Sequence, residues 1–345
     1  MPIFCRSLLV VSFVGLHSVL PAQQIPLDAA KTAGIESCRD CHEEMVAAWE
    51  RSIHAASFTT LGQSELTKKI AALMQIEPME IPMTASCMRC HYTHESIAGS
   101  PQPTEAISCE SCHGEALDWI DVHNRKSAPR AARISDATEQ GMVHPQSLAA
   151  MVKSCYGCHV VDDEQLVNMA GHPAISDGFE FLSWYSGEVK HNFLVDEGGA
   201  VKGHSTNPQP IPSARRRMLY VTGKLVHLSH TLKAMSRAKD APVDRDGKYL
   251  RLENGRYTFA VQHALEVKRI RRDLEEVLGK VSIPEVRDAL VLLDTLRFTT
   301  GQSNEFDSAA MELDRLAERF AEKRSGDQFA AIDPILDRLD PKFSE

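Results

Sequence analysis

"ESCRDCHEEMVAAWERSIHA", residues 36–55, sets two cysteines three positions apart, with a histidine directly after the second and another twelve residues further on. The first part of this arrangement recurs. "CRDCH" (Cys38, Cys41, His42) is followed by "CMRCH" (Cys87, Cys90, His91), "CESCH" (Cys109, Cys112, His113) and "CYGCH" (Cys155, Cys158, His159). Eight of the nine cysteines fall in these pairs; only Cys5 does not. With 15 histidines among 345 residues, chance does not put one behind every pair.

Three chemistries use paired cysteines. Disulfides staple exported chains but need no neighbouring imidazole. Structural zinc takes thiolates and imidazoles, yet does not require a histidine at this one position. Covalent haem requires the whole pattern. Two thiols add across the two vinyl groups of the porphyrin, which sets their gap, and the next residue carries its imidazole to the iron. The expectation is four c-type haems, tethered at Cys38/Cys41, Cys87/Cys90, Cys109/Cys112 and Cys155/Cys158. His42, His91, His113 and His159 are then the proximal iron ligands.

Each iron takes one more axial ligand, and that ligand largely sets what the haem can do. The favoured candidates are His54, His123, His172 and His191. Residues 41–54 read as one continuous helix, in which twelve residues rise about 18 Å. His42 and His54 therefore cannot face one iron, and His54 should serve a neighbouring haem. His123 follows His113 by ten residues and is read in the same way. His172, between a glycine and a proline in "MAGHPAIS", sits in a turn suited to presenting it. His191, in "GEVKHNF", is similar. His94 and His144 are weaker candidates, and His227, His230 and His263 lie on helical patterns that read as structural.

The "CxxCHxxxxxxWxxSxH" pattern at the first motif and "CExCHG" at the third resemble the tetrahaem cytochrome c554 family. The likeness covers roughly residues 36–195. It implies an exported electron-transfer protein on a mainly helical fold, with closely stacked pairs of mostly bis-His haems and one haem open on its distal side. Three functional classes follow. The first is a carrier passing electrons between redox partner proteins. The alternative is an enzyme that reduces or oxidises a small nitrogen or sulfur species at one five-coordinate haem. The third is a structural or sensory module in which the C-terminal bundle reports haem redox state.

The rest of the chain bounds these readings. A formal charge of −9 and the lack of a Lys/Arg-rich run argue against nucleic acid or an anionic membrane surface as partner. "MPIFCRSLLVVSFVGLHSVLPAQQ" has one basic residue, an apolar run and a small-residue site, the layout of a signal peptide over residues 1–22. Its apolar stretch is too short to span a bilayer. A periplasmic or otherwise exported product is expected, with no spanning segment after cleavage.

The expected fold class is mainly α: a multihaem cytochrome c domain with little strand, over residues 23–200, and a C-terminal helical domain, 201–345. "SIAGSPQPTEA" reads as a loop, and residues 196–213 as a linker rich in Gly, Pro and Ser. Beyond it, Met218, Val221, Leu225, Leu228 and Leu232 recur at helical spacing. Amphipathic helices there should build a small bundle, with Pro284 in the first turn of one of them. It is read either as a lid over haem faces or as a docking surface for a partner. No phosphate loop, GxSxG or HExxH appears.

Overall fold

The computed structural model describes residues 27–176, 178–187, 195–196, 199–200, 211–299 and 302–342. The expected signal segment, most of the expected linker and His191 lie outside them. The fold is mainly α. The haem-motif half opens with α1 (Glu36–Trp49), α2 (Ile53–Thr60), α3 (Glu65–Leu73) and α4 (Ala85–His91). It continues through α5 (Cys109–His113), α6 (Ile120–His123), α7 (Arg130–Glu139), α8 (Leu148–His159) and α9 (Phe181–Ser186). The C-terminal half contains α10 (Ser213–Ser236), α11 (Phe259–Leu278), α12 (Pro284–Thr295), α13 (Ser303–Lys323) and the short α14 (Asp333–Leu336).

The expected continuous helix from Cys41 to His54 is broken. His42 leaves helical geometry (φ −125°, ψ 36°), and Ser52, in extended backbone, starts α2 by accepting a hydrogen bond from the Ala55 amide. An N-capping serine satisfies an orphan amide and so favours a new helix start. The expected loop "SIAGSPQPTEA" is also corrected. It forms an antiparallel hairpin of β1 (Thr93–Ile97) and β2 (Ser100–Glu105), turning at Ala98 and Gly99, both with positive φ. A two-stranded ribbon has only edges, so Pro101 and Pro103 are tolerated where an inner strand would reject them.

Two small apolar clusters support the haem-motif half. One gathers Ala116, Trp119, Val122, Ala137 and Met142; the other gathers Ala71, Ile81 and Tyr92. The large core lies elsewhere. It runs from Leu148, Val152 and Tyr156 of α8 through α10 and α11 to Leu313 and Phe320 of α13. The fourth motif, at the end of α8, thus stands on the C-terminal bundle.

The five apolar positions read on α10 are all buried, but so are Leu219, Tyr220 and Val226 on its other faces. Rather than one more amphipathic element, α10 is the central helix, ringed by its neighbours. Arg217 ties it to α14 through a two-pronged pair with Asp333, and Arg324 does the same between α13 and buried Glu285 of α12. Pro284 occupies the first turn of α12.

Candidate haem-binding site

Each motif places its histidine where regular helix stops. His91, His113 and His159 are the last residues of α4, α5 and α8, and His42 is the one non-helical residue inside α1. The two cysteines of a pair ride on one turn, and the backbone then swings away to free the imidazole.

Three imidazole pairs meet across open space. The ring centres of His42 and His123, of His54 and His159, and of His91 and His172 all stand 6.3 Å apart. A histidine nitrogen binds a metal at about 2 Å, so two imidazoles on opposite sides of one iron put their ring centres roughly 6 Å apart. The separation is too long for stacking contact and matches a metal held between. The planes of the first pair lie at 23° to each other; those of the other two lie at 68° and 60°.

Second partners orient these rings. The Nδ1 atoms of His113, His123 and His172 donate to the carbonyls of Val143, Ile120 and Pro173, and His159 Nδ1 meets Ser176 Oγ at 2.9 Å. A ligating imidazole is held in this way, with the other nitrogen's lone pair left for the metal. The contrast with His94 and His263 is informative. Their Nε2 atoms are engaged instead, by the carbonyls of Pro82 and Val161, which locks them into structural roles. Burial, and then the neighbouring His172, lowers His91 to about 4; burial, and then His54 and His91, lowers His159 to about 3. Both are neutral at physiological pH, as iron ligation requires.

Two of the pairs, His54 with His159 and His91 with His172, border a common cavity of about 330 Å³, lined also by Cys90 and Cys158. Arg89 Nε and Trp184 Nε1, on residues that line it, are buried with no hydrogen-bond partner among the described residues. Such donors suit the carboxylates of a porphyrin edge. No group of three or more His, Cys, Asp or Glu converges as a bare ion would need, again among the described residues. The donor set fits haem. When bound, haem supplies one-electron chemistry at its iron.

The thiols also report how the motifs neighbour one another. Cys38 of the first motif lies beside Cys109 of the third, and Cys90 of the second beside Cys158 of the fourth. Ser154 Oγ, beside the fourth motif, donates to the carbonyl of Cys112 in the third.

The residues around the motifs carry their own logic. Trp49 Nε1 donates to the Ile107 carbonyl at 2.7 Å and fixes α1 beside the third motif, while Ser52 begins the helix that carries His54. Glu110, only 1% exposed, accepts from the amides of Ala33, Gly34 and Ala116 and gathers the chain's lead-in around α5. Gly114 follows His113 at φ 84°, and a Cβ there would fall 2.3 Å from the Gly141 carbonyl. The sequence reading missed Arg89 and Trp184, because nothing in their local pattern marks them. Glu110 was visible only as part of "CExCHG".

Among the described residues no helix is long and apolar enough to cross a membrane. Residues 37–114, which hold the first three motifs, match the family model described as cytochrome c554 and c-prime. No curated protein and no solved structure matches the chain. Over that stretch, under a quarter of its length, the chain is similar to cytochrome c554 and c-prime, and it is a c-type cytochrome with covalently bound haem.

Proposed function

We propose that this protein is an exported tetrahaem cytochrome that carries electrons between redox partner proteins through closely packed bis-His haems. The observation that carries the reading is the set of three imidazole pairs at one common 6.3 Å separation. His42 and His123 serve the first haem, His91 and His172 the second, and His159 and His54 the fourth. His191, a candidate ligand from the sequence, lies outside the described residues. Two imidazoles on each iron leave no open position and give low-spin centres, which suits transfer rather than catalysis.

The thiol contacts support an order along the wire of first, third, fourth and second motif. The first and second haems are then the ends at which electrons enter and leave. The protein's own work is to orient His113, His123, His159 and His172 through their Nδ1 bonds and to keep the buried rings neutral. Export follows from the residue 1–22 layout and from attachment of c-type haem outside the cytoplasm.

The test is mass and spectroscopy of holo-protein expressed with a haem-attachment system. The chain should gain the mass of four haems and show only low-spin iron. Near-parallel imidazole planes split the iron d orbitals more than crossed planes do. The first haem should therefore give a rhombic paramagnetic resonance signal, and the second and fourth strongly anisotropic ones. His54→Ala should make the fourth haem high-spin and leave the first unchanged. A response at the first haem alone, or a mass gain of fewer haems, would refute the reading.

A further inference from the structure

His172 is presented by an unusual piece of backbone. Residues Leu166–Ala170 form a π-helical turn that ends at Gly171, with φ 84°. The last carbonyls of such a turn have no partner within it. Here the Val167 carbonyl takes the Gly171 amide at 3.2 Å, and a further donor comes from the C-terminal half. Arg256 Nη2 donates to the carbonyls of Val167 (3.2 Å) and Asn168 (3.4 Å). Its Nη1 lies 2.6 Å from where a Cβ on Gly171 would stand, so a side chain there would push the guanidinium aside.

Arg256 is itself held. The Gly255 amide donates to the Leu252 carbonyl, the Leu252 amide to the Arg256 carbonyl, and the Arg256 amide to Asn254 Oδ1. These bonds close a tight turn over "LENGR". A second latch runs beside the first: the Phe259 amide, at the start of α11, donates to Asn168 Oδ1 at 2.7 Å. Both grip the segment directly before His172.

We infer that Arg256 is a positioning residue for the second haem: it clamps the 166–171 turn so that His172 can reach the iron opposite His91. The inference rests on the proposed role of His172 as a ligand, and its test separates the two. The rigid, planar guanidinium aims one nitrogen, Nη2, at both carbonyls, whereas a lysine ammonium is a point donor on a flexible stem. Without it the turn is free to relax, and His172 detaches in part of the molecules.

The test uses full-length holo-protein and counts haems per chain that bind carbon monoxide when reduced. The unsubstituted protein should bind almost none, and His172→Ala one per chain. Arg256→Ala and Gly171→Ala should bind an intermediate fraction, with loss confined to the same low-spin signal that His172→Ala removes. Arg256→Lys should restore part of it. Should Arg256→Ala fail to accumulate, Arg256→Gln, which keeps the aliphatic stem, carries the same expectation. Low-spin spectra identical to the parent in the Arg256 variants, even with a lowered melting temperature, would overturn the clamp. Equal disturbance of all four haems would overturn it too, since the effect would then be general unfolding. If His172→Ala itself leaves the second haem low-spin, the ligand assignment fails and the clamp's role falls with it, a result distinct from failure of the clamp alone.

Discussion

The two halves of this chain solve the folding problem differently. In the C-terminal half, Leu219, Leu225, Leu228, Leu232, Ile270, Leu274 and Phe320 are all at or near zero exposure in one continuous core. In the haem-motif half, helices are short, the apolar clusters are small, and Ile53, Phe58, Leu66, Leu73, Met79 and Met83 stay exposed. Ordering a residue costs about 1.5 kcal/mol, and clusters of this size do not offset that over 120 residues. The bundle is built from side chains. The haem half leaves central space for covalently bound haem to fill, including the cavity among His54, His91, His159 and His172.

The largest expected effect breaks that symmetry outright. Chain produced without haem attachment should keep slowly exchanging amides in α10, α11 and α13, while residues 36–123 exchange at nearly unfolded rates. Hydrogen exchange read by mass spectrometry decides it. Equal protection in both halves would mean that the side chains of the haem half suffice, and the contrast would collapse.

A smaller effect sharpens the same contrast from the other side. Leu228 is fully buried in the middle of α10. Leu228→Ala should cost about 2–5 kcal/mol, the range for a buried leucine whose cavity cannot collapse. Since α8 shares this core, the loss should also loosen the fourth motif while the first stays intact. Denaturant melts followed by far-ultraviolet dichroism and by the haem band report the two parts separately. Coincident shifts at every haem would show that the bundle supports the whole molecule and not one end of it.

What the sequence made legible follows the same division. The cysteine pairs and the histidine behind each were plain, because residue type and spacing repeat within five positions. His54, His123 and His172 could be singled out, but not which imidazole each would face, since those pairings join residues 81 to 105 positions apart. The helix break at Ser52 was readable in principle as a serine cap and was outweighed by the helical pattern on both sides. The hairpin over residues 93–105 was hidden by its prolines, which usually signal loops. The clamp on His172 was beyond reach: nothing local to "LENGR" says that its arginine meets a turn more than 80 residues earlier. Helical periodicity located the bundle, but could not reveal that α10 is enclosed on every side, because periodicity reports one face at a time.

The smallest expected effect concerns acid, and it separates the halves by how each keeps its imidazoles neutral. In the haem half, the proposed ligation to iron adds to burial at His91 and His159. In the bundle, burial alone acts first. It lowers His263 to about 4, a little offset by the Val161 carbonyl, and lowers His230 to about 3, helped by Lys233 and Lys153. The folded bundle therefore keeps both rings neutral, while the unfolded chain protonates them below about pH 6.5. With more protons bound in the unfolded state, stability rises with pH. Each histidine's contribution is whole above pH 6.5 and is lost as the pH falls toward its folded value. The slope is about 1.4 kcal/mol per pH unit for each ring. Urea midpoints of the bundle should fall between pH 6.5 and pH 4.5, and His230→Gln should reduce that slope by roughly the share of one ring. A midpoint that does not move over this range would mean that both imidazoles take up protons in the folded bundle as readily as in the open chain.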